Sequence, residues 1–282
     1  MKRIIALLLS VFLVTAICCA CGNGQKSGDK TTVAATSATA DEKTTDKTEI
    51  VVFAAASMTE TLESLKKTYQ ASHPEIEITY NFDSSGTLKT QIEEGAVCDL
   101  FISAAQKQMN GLEEGDYIDK DTRLDLLENK VALCVAENSK SGIQSYADMK
   151  SHLEAGDILM AIGNEDVPVG QYTQKIFNYY GLDENALKEK GVLTYGSNVK
   201  EVTTQISEGT VDCGIIYQTD AYSAKLKVVD TATEEMCGQV IYPAAVLSKT
   251  AHAEEAKAFL AYLRTEEASK VFEGVGFTPL SE

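Results

Sequence analysis

The stretch Val51-Val52-Phe53-Ala54-Ala55-Ala56-Ser57-Met58-Thr59-Glu60 decides the fold. Its apolar start reads as a buried strand. Three alanines and a serine follow, and then Met58, Leu62, Leu65 and Tyr69 recur at the spacing of one helical face. Ser57 with Glu60 three residues on has the capping-box pattern, which predicts Ser57 as the cap where strand hands over to helix. The first turn of a helix carries N–H groups without helical partners and a partial positive charge, so this junction is a ready place for an anion.

Outward from this stretch, strand-like and helix-like runs alternate. Strands are predicted at 50–54, 76–82, 97–103, 131–136, 158–162 and 211–217, and helices near 170–180, 199–207 and 252–264. This order predicts an α/β fold with parallel sheets. In such sheets ligands sit beyond the carboxyl ends of strands, at the loops that enter helices. Four loops have that character: Ala56-Ser57; Asp83-Ser84-Ser85-Gly86-Thr87; Val167-Pro168-Val169-Gly170-Gln171-Tyr172; and Ser197-Asn198-Val199-Lys200-Glu201, where Asn198 and Glu201 again have capping-box spacing. Any one alone reads as ordinary capping. Four in one α/β chain point to a convergent anion site.

The N-terminus bounds the compartment. Met1-Lys2-Arg3, an apolar run over 4–17 and then Cys18-Cys19-Ala20-Cys21-Gly22 make an export signal, too short for a membrane span of about 20 residues. A cysteine at the cleavage point resembles a bacterial lipoprotein signal. Cys21 is the expected lipidated residue, with Cys19 as the alternative. Residues 22–48 are polar and low in apolar content, the composition of a flexible tether. The net charge of −17 becomes −19 once Lys2 and Arg3 leave with the signal, which argues against nucleic acid as a partner and against long-range steering of an anion. Cys98, Cys134, Cys213 and Cys237 form no CxxC pair and read as buried free thiols, not a zinc site.

Val52-Phe53-Ala54-Ala55-Ala56-Ser57-Met58-Thr59, Phe82-Asp83-Ser84-Ser85-Gly86-Thr87-Leu88, Asp99-Leu100-Phe101-Ile102-Ser103-Ala104, Val167 to Tyr172, Gly214-Ile215-Ile216-Tyr217 with Asp220-Ala221, and Gly276-Phe277 together resemble the molybdate-binding proteins of bacterial ABC importers, over essentially all of 49–282. The resemblance implies a two-lobe periplasmic-binding-protein-like fold of type II with the ligand in the inter-lobe cleft. Lobe one would be 49–128 plus 240–282 and lobe two 129–239, after a signal peptide over 1–21 and the tether over 22–48. It implies that Ser57 and Ser85 bind a tetrahedral oxyanion through hydroxyl and N–H groups, Val169 and Val199 through backbone N–H groups, and Tyr217 through its hydroxyl. Molybdate, or tungstate of nearly equal size, is the implied ligand. No cofactor and no catalytic residue are implied, and the partner would be an ABC permease in the membrane, met by a monomer anchored to the outer face of the cell membrane. Asp83 and Gly86 depart from the serine-rich loop of the family and put the local loop shape in question.

The chemistry is coherent with the residues. Molybdate is a dianion that only accepts hydrogen bonds, so neutral donors at helix N-termini suffice to hold it. Phosphate near neutral pH often carries a proton and needs an acceptor, which none of the five residues supplies, although Asp83 lies close in sequence. Sulfate is also a pure acceptor and is the alternative ligand. A hydrolase is the remote alternative. His73, His152 and His252 lie far from the four loops in sequence, and no Gly-x-Ser-x-Gly elbow or metal-ligand cluster is present.

Overall fold

The structure is a computed structural model that describes residues 47–280. The signal over 1–21, Cys21 and all but the last two residues of the tether lie outside the described residues. Among the described residues no helix is long and apolar enough to cross a membrane.

Strand β1 (Thr48–Ala55) grows from the decisive stretch. Ile50, Val52 and Ala54 are fully buried on one face, and Phe53 and Ala55 are buried on the other. Burial on both faces is the environment of a central parallel strand covered by helices. It pairs in parallel with β2 (Ile76–Asp83) on one side and β3 (Leu100–Ile102) on the other. The chain continues through β4 (Leu124–Asn129), β5 (Val131–Val135), β6 (Met160–Gly163), β7 (Leu193–Gly196), β8 (Cys213–Tyr217), β9 (Lys227–Thr231), β10 (Val240–Val246) and β11 (Thr278–Pro279). Two sheets result. One has six strands in the order β11-β4-β10-β3-β1-β2, and the other has five in the order β7-β6-β8-β5-β9. Only Lys130 separates β4 in the first sheet from β5 in the second, and the chain returns to the first sheet with β10.

The expectation of parallel sheets is corrected. β10 runs antiparallel to both β3 and β4, and β5 runs antiparallel to both β8 and β9. β5 enters its sheet directly from β4 of the other sheet, and β10 arrives from β9 of the other sheet by way of the four-residue helix Glu234–Cys237. Neither is joined to the preceding strand of its own sheet by a βαβ crossover, so the right-handed rule does not fix its direction. The predicted strand over 97–103 shrinks to Leu100–Ile102, and Val97 is 73% exposed. The strand expected at 211–217 begins only at Cys213.

The four cysteines are buried and free. Burial pushes the Cys134 thiol up to about 12 and raises Cys98, Cys213 and Cys237 as well, so all four are poor nucleophiles. Tyr179 is exposed, while Tyr180 is partly buried and stacks on Tyr146. Phe259, Leu260 and Leu263 are buried core.

Candidate functional site

A small pocket lies where the ends of both sheets' strands meet. Ala55, Ala56, Ser57, Asp83, Ser84, Ser85 and Ala104 line it from the six-stranded side; Val167, Pro168, Val199 and Tyr217 line it from the five-stranded side. The space is far smaller than the pockets that hold drug-sized organic ligands, and it suits a guest of a few atoms. No lysine, arginine or histidine lines it. A guest anion would therefore meet neutral donors.

Three helices begin at its wall. Ser85 opens the helix Ser85–Glu93, Pro168 the helix Pro168–Tyr180 and Val199 the helix Val199–Ser207. First-turn N–H groups have no partner within their helix. Ser84 accepts from Thr87 N–H and Asn198 from Glu201 N–H, so side-chain caps occupy the deeper donors and leave the first ones for a guest. Pro168 has no N–H, which makes Val169 the first donor of its helix. Val169 itself is fully buried and does not line the cavity, although Val167 and Pro168 before it do. Of the five residues expected from sequence, Ser57, Ser85, Val199 and Tyr217 share the cavity wall.

Ser57 is a correction. The structure places a 3-10 turn over Ala56–Met58, and the following helix Thr59–Ser72 has Met58 at its N-cap with no side-chain cap. The Ser57 hydroxyl is instead 2.9 Å from the Tyr242 hydroxyl. Ser85 accepts from Ala104 N–H at 2.9 Å. The Tyr217 hydroxyl is fully buried and has no hydrogen-bond partner among the described residues. Burial first, then the neighbouring Tyr242 and Tyr172, hold its phenol well above the ordinary range, so it remains a neutral donor.

Sequence reasoning left Asp83 as a question. Its Oδ1 accepts from Ser84 N–H at 2.7 Å and from the Asn198 amide at 3.3 Å, the second across the cavity mouth. A second contact joins the same two sides: Lys200 Nζ lies 2.9 and 2.8 Å from the Glu60 carboxylate oxygens and 3.2 Å from Asp220 Oδ1. Neither was found from sequence, because each joins residues more than 100 positions apart.

Asp220 is completely buried, and burial pushes its carboxyl up to about 6 despite Lys200. A carboxyl whose pKa is higher folded than unfolded binds its proton more tightly in the native state. Its contribution to stability is fully present at low pH and is lost as pH rises through about 6. Asp220→Asn, which does not ionise, is expected to gain on the wild type by on the order of 2–3 kcal/mol between pH 4 and pH 7.5. Urea unfolding at the two pH values checks this, and a gap independent of pH would contradict it.

The chain matches the profile of the family described as bacterial extracellular solute-binding protein over residues 50–278. YvgL of Bacillus subtilis strain 168, provisionally named an ABC transporter substrate-binding lipoprotein, is 35% identical over 273 residues, 96% of this chain and 95% of its own. The molybdate-binding protein ModA of Haemophilus influenzae is 33% identical over 233 residues, 81% of this chain and 89% of its own. In fold, the chain is similar to the periplasmic molybdate-binding protein of Azotobacter vinelandii, with a TM-score of 0.72 at 19% identity over 83% of this chain and all of the other.

Proposed function

The chain belongs to the bacterial extracellular solute-binding proteins that serve ABC transporters, and from that premise we propose that its solute is molybdate, with tungstate bound comparably. One observation carries the reading: a fully buried tyrosine hydroxyl without a partner among the described residues, Tyr217, lines a small cavity walled by helix N-termini and, among the described residues, by no cation, with Asp83 its one carboxylate. Such a wall offers donors to a guest that only accepts. The helix dipoles and hydroxyls stabilise the two negative charges without a buried lysine or arginine.

In this reading Ser57, Ser85 and Tyr217 donate hydroxyl protons, and the first-turn N–H groups of Ser85, Val169 and Val199 complete the shell. The ligand is cargo and no cofactor takes part. Donors stand on both sheets, so the anion binds the closed arrangement in preference to an open one, and the closed form is what a membrane permease would recognise. Lipid attachment at Cys21 would keep the monomer beside that permease.

Isothermal calorimetry with molybdate, tungstate, sulfate and phosphate tests the proposal. One-to-one binding of the first two with sulfate and phosphate rejected is the expected outcome. Ser57→Ala should then weaken molybdate roughly tenfold or more, the worth of one hydrogen bond to a charged group. Sulfate binding as tightly as molybdate would leave the family and remove the molybdate reading.

A further inference from the structure

Asn129 is buried at the end of β4, one residue before β5 enters the other sheet. The backbone fixes which way its amide faces. Lys130 N–H donates to Oδ1 at 2.8 Å, so the other terminus is the NH2 group with two protons to give. One goes to Thr219 Oγ1 at 3.0 Å, two residues after Tyr217 in the chain, and one goes to the Tyr242 phenol oxygen at 3.2 Å. Tyr242 stands where the pairing of β10 with β4 slips by a residue before Pro243, a local irregularity of the kind that re-aims a side chain.

The direction of the chain of bonds is assigned by counting protons. The phenol oxygen of Tyr242 accepts from Asn129, and of its hydroxyl neighbours Ser57 and Tyr217 only Ser57 Oγ stands at hydrogen-bond geometry, 2.9 Å away; its single O–H is therefore assigned to Ser57, a pair whose donor the distance alone does not fix. Ser57 thereby accepts, and its own proton is left for the cavity that it lines. Ser85 has the same polarity, because Ala104 N–H occupies its acceptor side. Asp83, the carboxylate in the wall, already accepts from Ser84 N–H and the Asn198 amide through Oδ1.

We propose that Asn129 and Tyr242 are positioning residues that set the polarity of the site, so that Ser57 faces the guest only as a donor and oxyanions without a proton are selected over protonated ones. The inference rests on the oxyanion reading and deepens it from ligand class to the residues that discriminate within the class. Molybdate and sulfate present acceptors only. Hydrogen phosphate presents an O–H that would meet a hydroxyl proton aimed at it, and the clash of two donors leaves one unsatisfied in a buried site. Burial holds the Tyr242 phenol well above the ordinary range, so the relay keeps its proton throughout the physiological pH range.

Tyr242→Phe keeps the ring, which packs edge-to-face on Tyr217 and Phe277 at 5.7 and 5.2 Å, and removes only the relay. Ser57 is then free to turn. The expected result is molybdate binding weakened about tenfold, phosphate at pH 6 bound no more weakly than by the wild type, and a phosphate-to-molybdate Kd ratio lower by about tenfold. Both anions weakening in parallel would mean a merely structural tyrosine and overturn the proposal. A second variant, Asn129→Asp, reverses the polarity: the carboxylate accepts from Tyr242, whose oxygen then accepts from Ser57. Molybdate binding should fall on the order of a hundredfold, and adding Tyr242→Phe should restore part of it. Strictly additive losses would also overturn the relay. Thermal unfolding of each variant confirms that it is folded. If the wild type takes sulfate instead of molybdate, the sulfate-to-phosphate ratio serves in the same way. A wild type that binds molybdate and phosphate equally overturns the polarity and leaves an oxyanion binder; one that binds no oxyanion removes both readings.

Discussion

Gly86→Ala is expected to lower molybdate affinity roughly ten- to a hundredfold while leaving thermal unfolding unchanged or slightly raised. A β-carbon on Gly86 would lie 2.2 Å from the Asp166 carbonyl oxygen and 3.0 Å from its carbon. A relaxed contact needs about 3.5 Å. The obstacle is backbone, so it cannot swing aside. Gly86 belongs to the helix Ser85–Glu93 on the six-stranded side, and Asp166 lies between β6 and the helix Pro168–Tyr180 on the other. The added methyl therefore forces the two walls apart by about 1 Å at the cavity. A shift of that size removes one cross-cavity hydrogen bond to the dianion, worth about 1.5–3 kcal/mol. Within its own helix alanine is favoured over glycine by about 1 kcal/mol, so folding does not suffer. Gly111→Ala is the internal control. Its β-carbon meets the Lys89 side chain, Cε at 2.6 Å with Nζ and Cδ beyond 3.5 Å, the far end of a flexible side chain, and affinity should not change. Calorimetry decides the affinities, and small-angle scattering with and without molybdate reads closure. Wild-type affinity in Gly86→Ala would show that the walls do not need this approach. The glycine that departs from the family's serine-rich loop thus has a steric reason in this chain.

How far the sequence carried depends on whether the deciding interaction is local. The alternation in β1 and the helical face Leu62, Leu65 and Tyr69 are local, and all of these residues are buried as that pattern requires. Asn198 as a cap is local too, and its side chain accepts from Glu201 N–H as the spacing predicts, although the Glu201 carboxylate takes Ser197 N–H and not Asn198's. Ser57 failed as a cap because its hydroxyl is engaged by Tyr242, 185 positions away, and the turn over Ala56–Met58 carries it there. Nothing near residue 57 encodes that partner. Strand direction was missed for the same reason: the continuous apolar run of β5 marks a strand and is silent on which neighbour it meets, and β10 is not among the strands predicted. Asn129 and Tyr242 sit in stretches without any motif, while Lys200 and Asp220 lie inside quoted motifs that do not encode their partners; all four acquire their roles only when β4, β10 and the helix-entry loops converge. Ser57, Ser85 and Val199 lie in loops that the residues alone mark as helix entries, while the choice of these residues, and of Tyr217 outside those loops, rested on the family resemblance. Val169 was legible as a helix start, and its side chain turns to the core.

Tyr217→Phe is expected to raise the stability of the free protein and to weaken molybdate binding, two effects of opposite sign from the loss of one oxygen. The Tyr217 hydroxyl is buried without a partner among the described residues. An unsatisfied buried hydroxyl costs about 1–3 kcal/mol, and phenylalanine removes that cost while keeping the ring against Tyr172 and Tyr242. For a chain of this size about 1 kcal/mol corresponds to a rise of about 2–4 °C in Tm. In the complex the same hydroxyl has a dianion to donate to, and its loss removes about 1.5–3 kcal/mol, or roughly ten- to a hundredfold in Kd. The rise in Tm that molybdate induces must shrink accordingly, because ligand stabilisation follows the logarithm of concentration over Kd. Burial keeps the phenol neutral through the physiological range, so the substitution changes no charge and the comparison is clean at any pH near neutrality. A tyrosine that serves only the core predicts the reverse pattern: stability falls or stays, and affinity is untouched. Differential scanning calorimetry with and without molybdate separates the two. A lowered Tm with full affinity would place the anion elsewhere and return Tyr217 to the hydrophobic core; a raised Tm with lost affinity is the mark of a hydroxyl kept unpaired in the fold for the sake of its ligand.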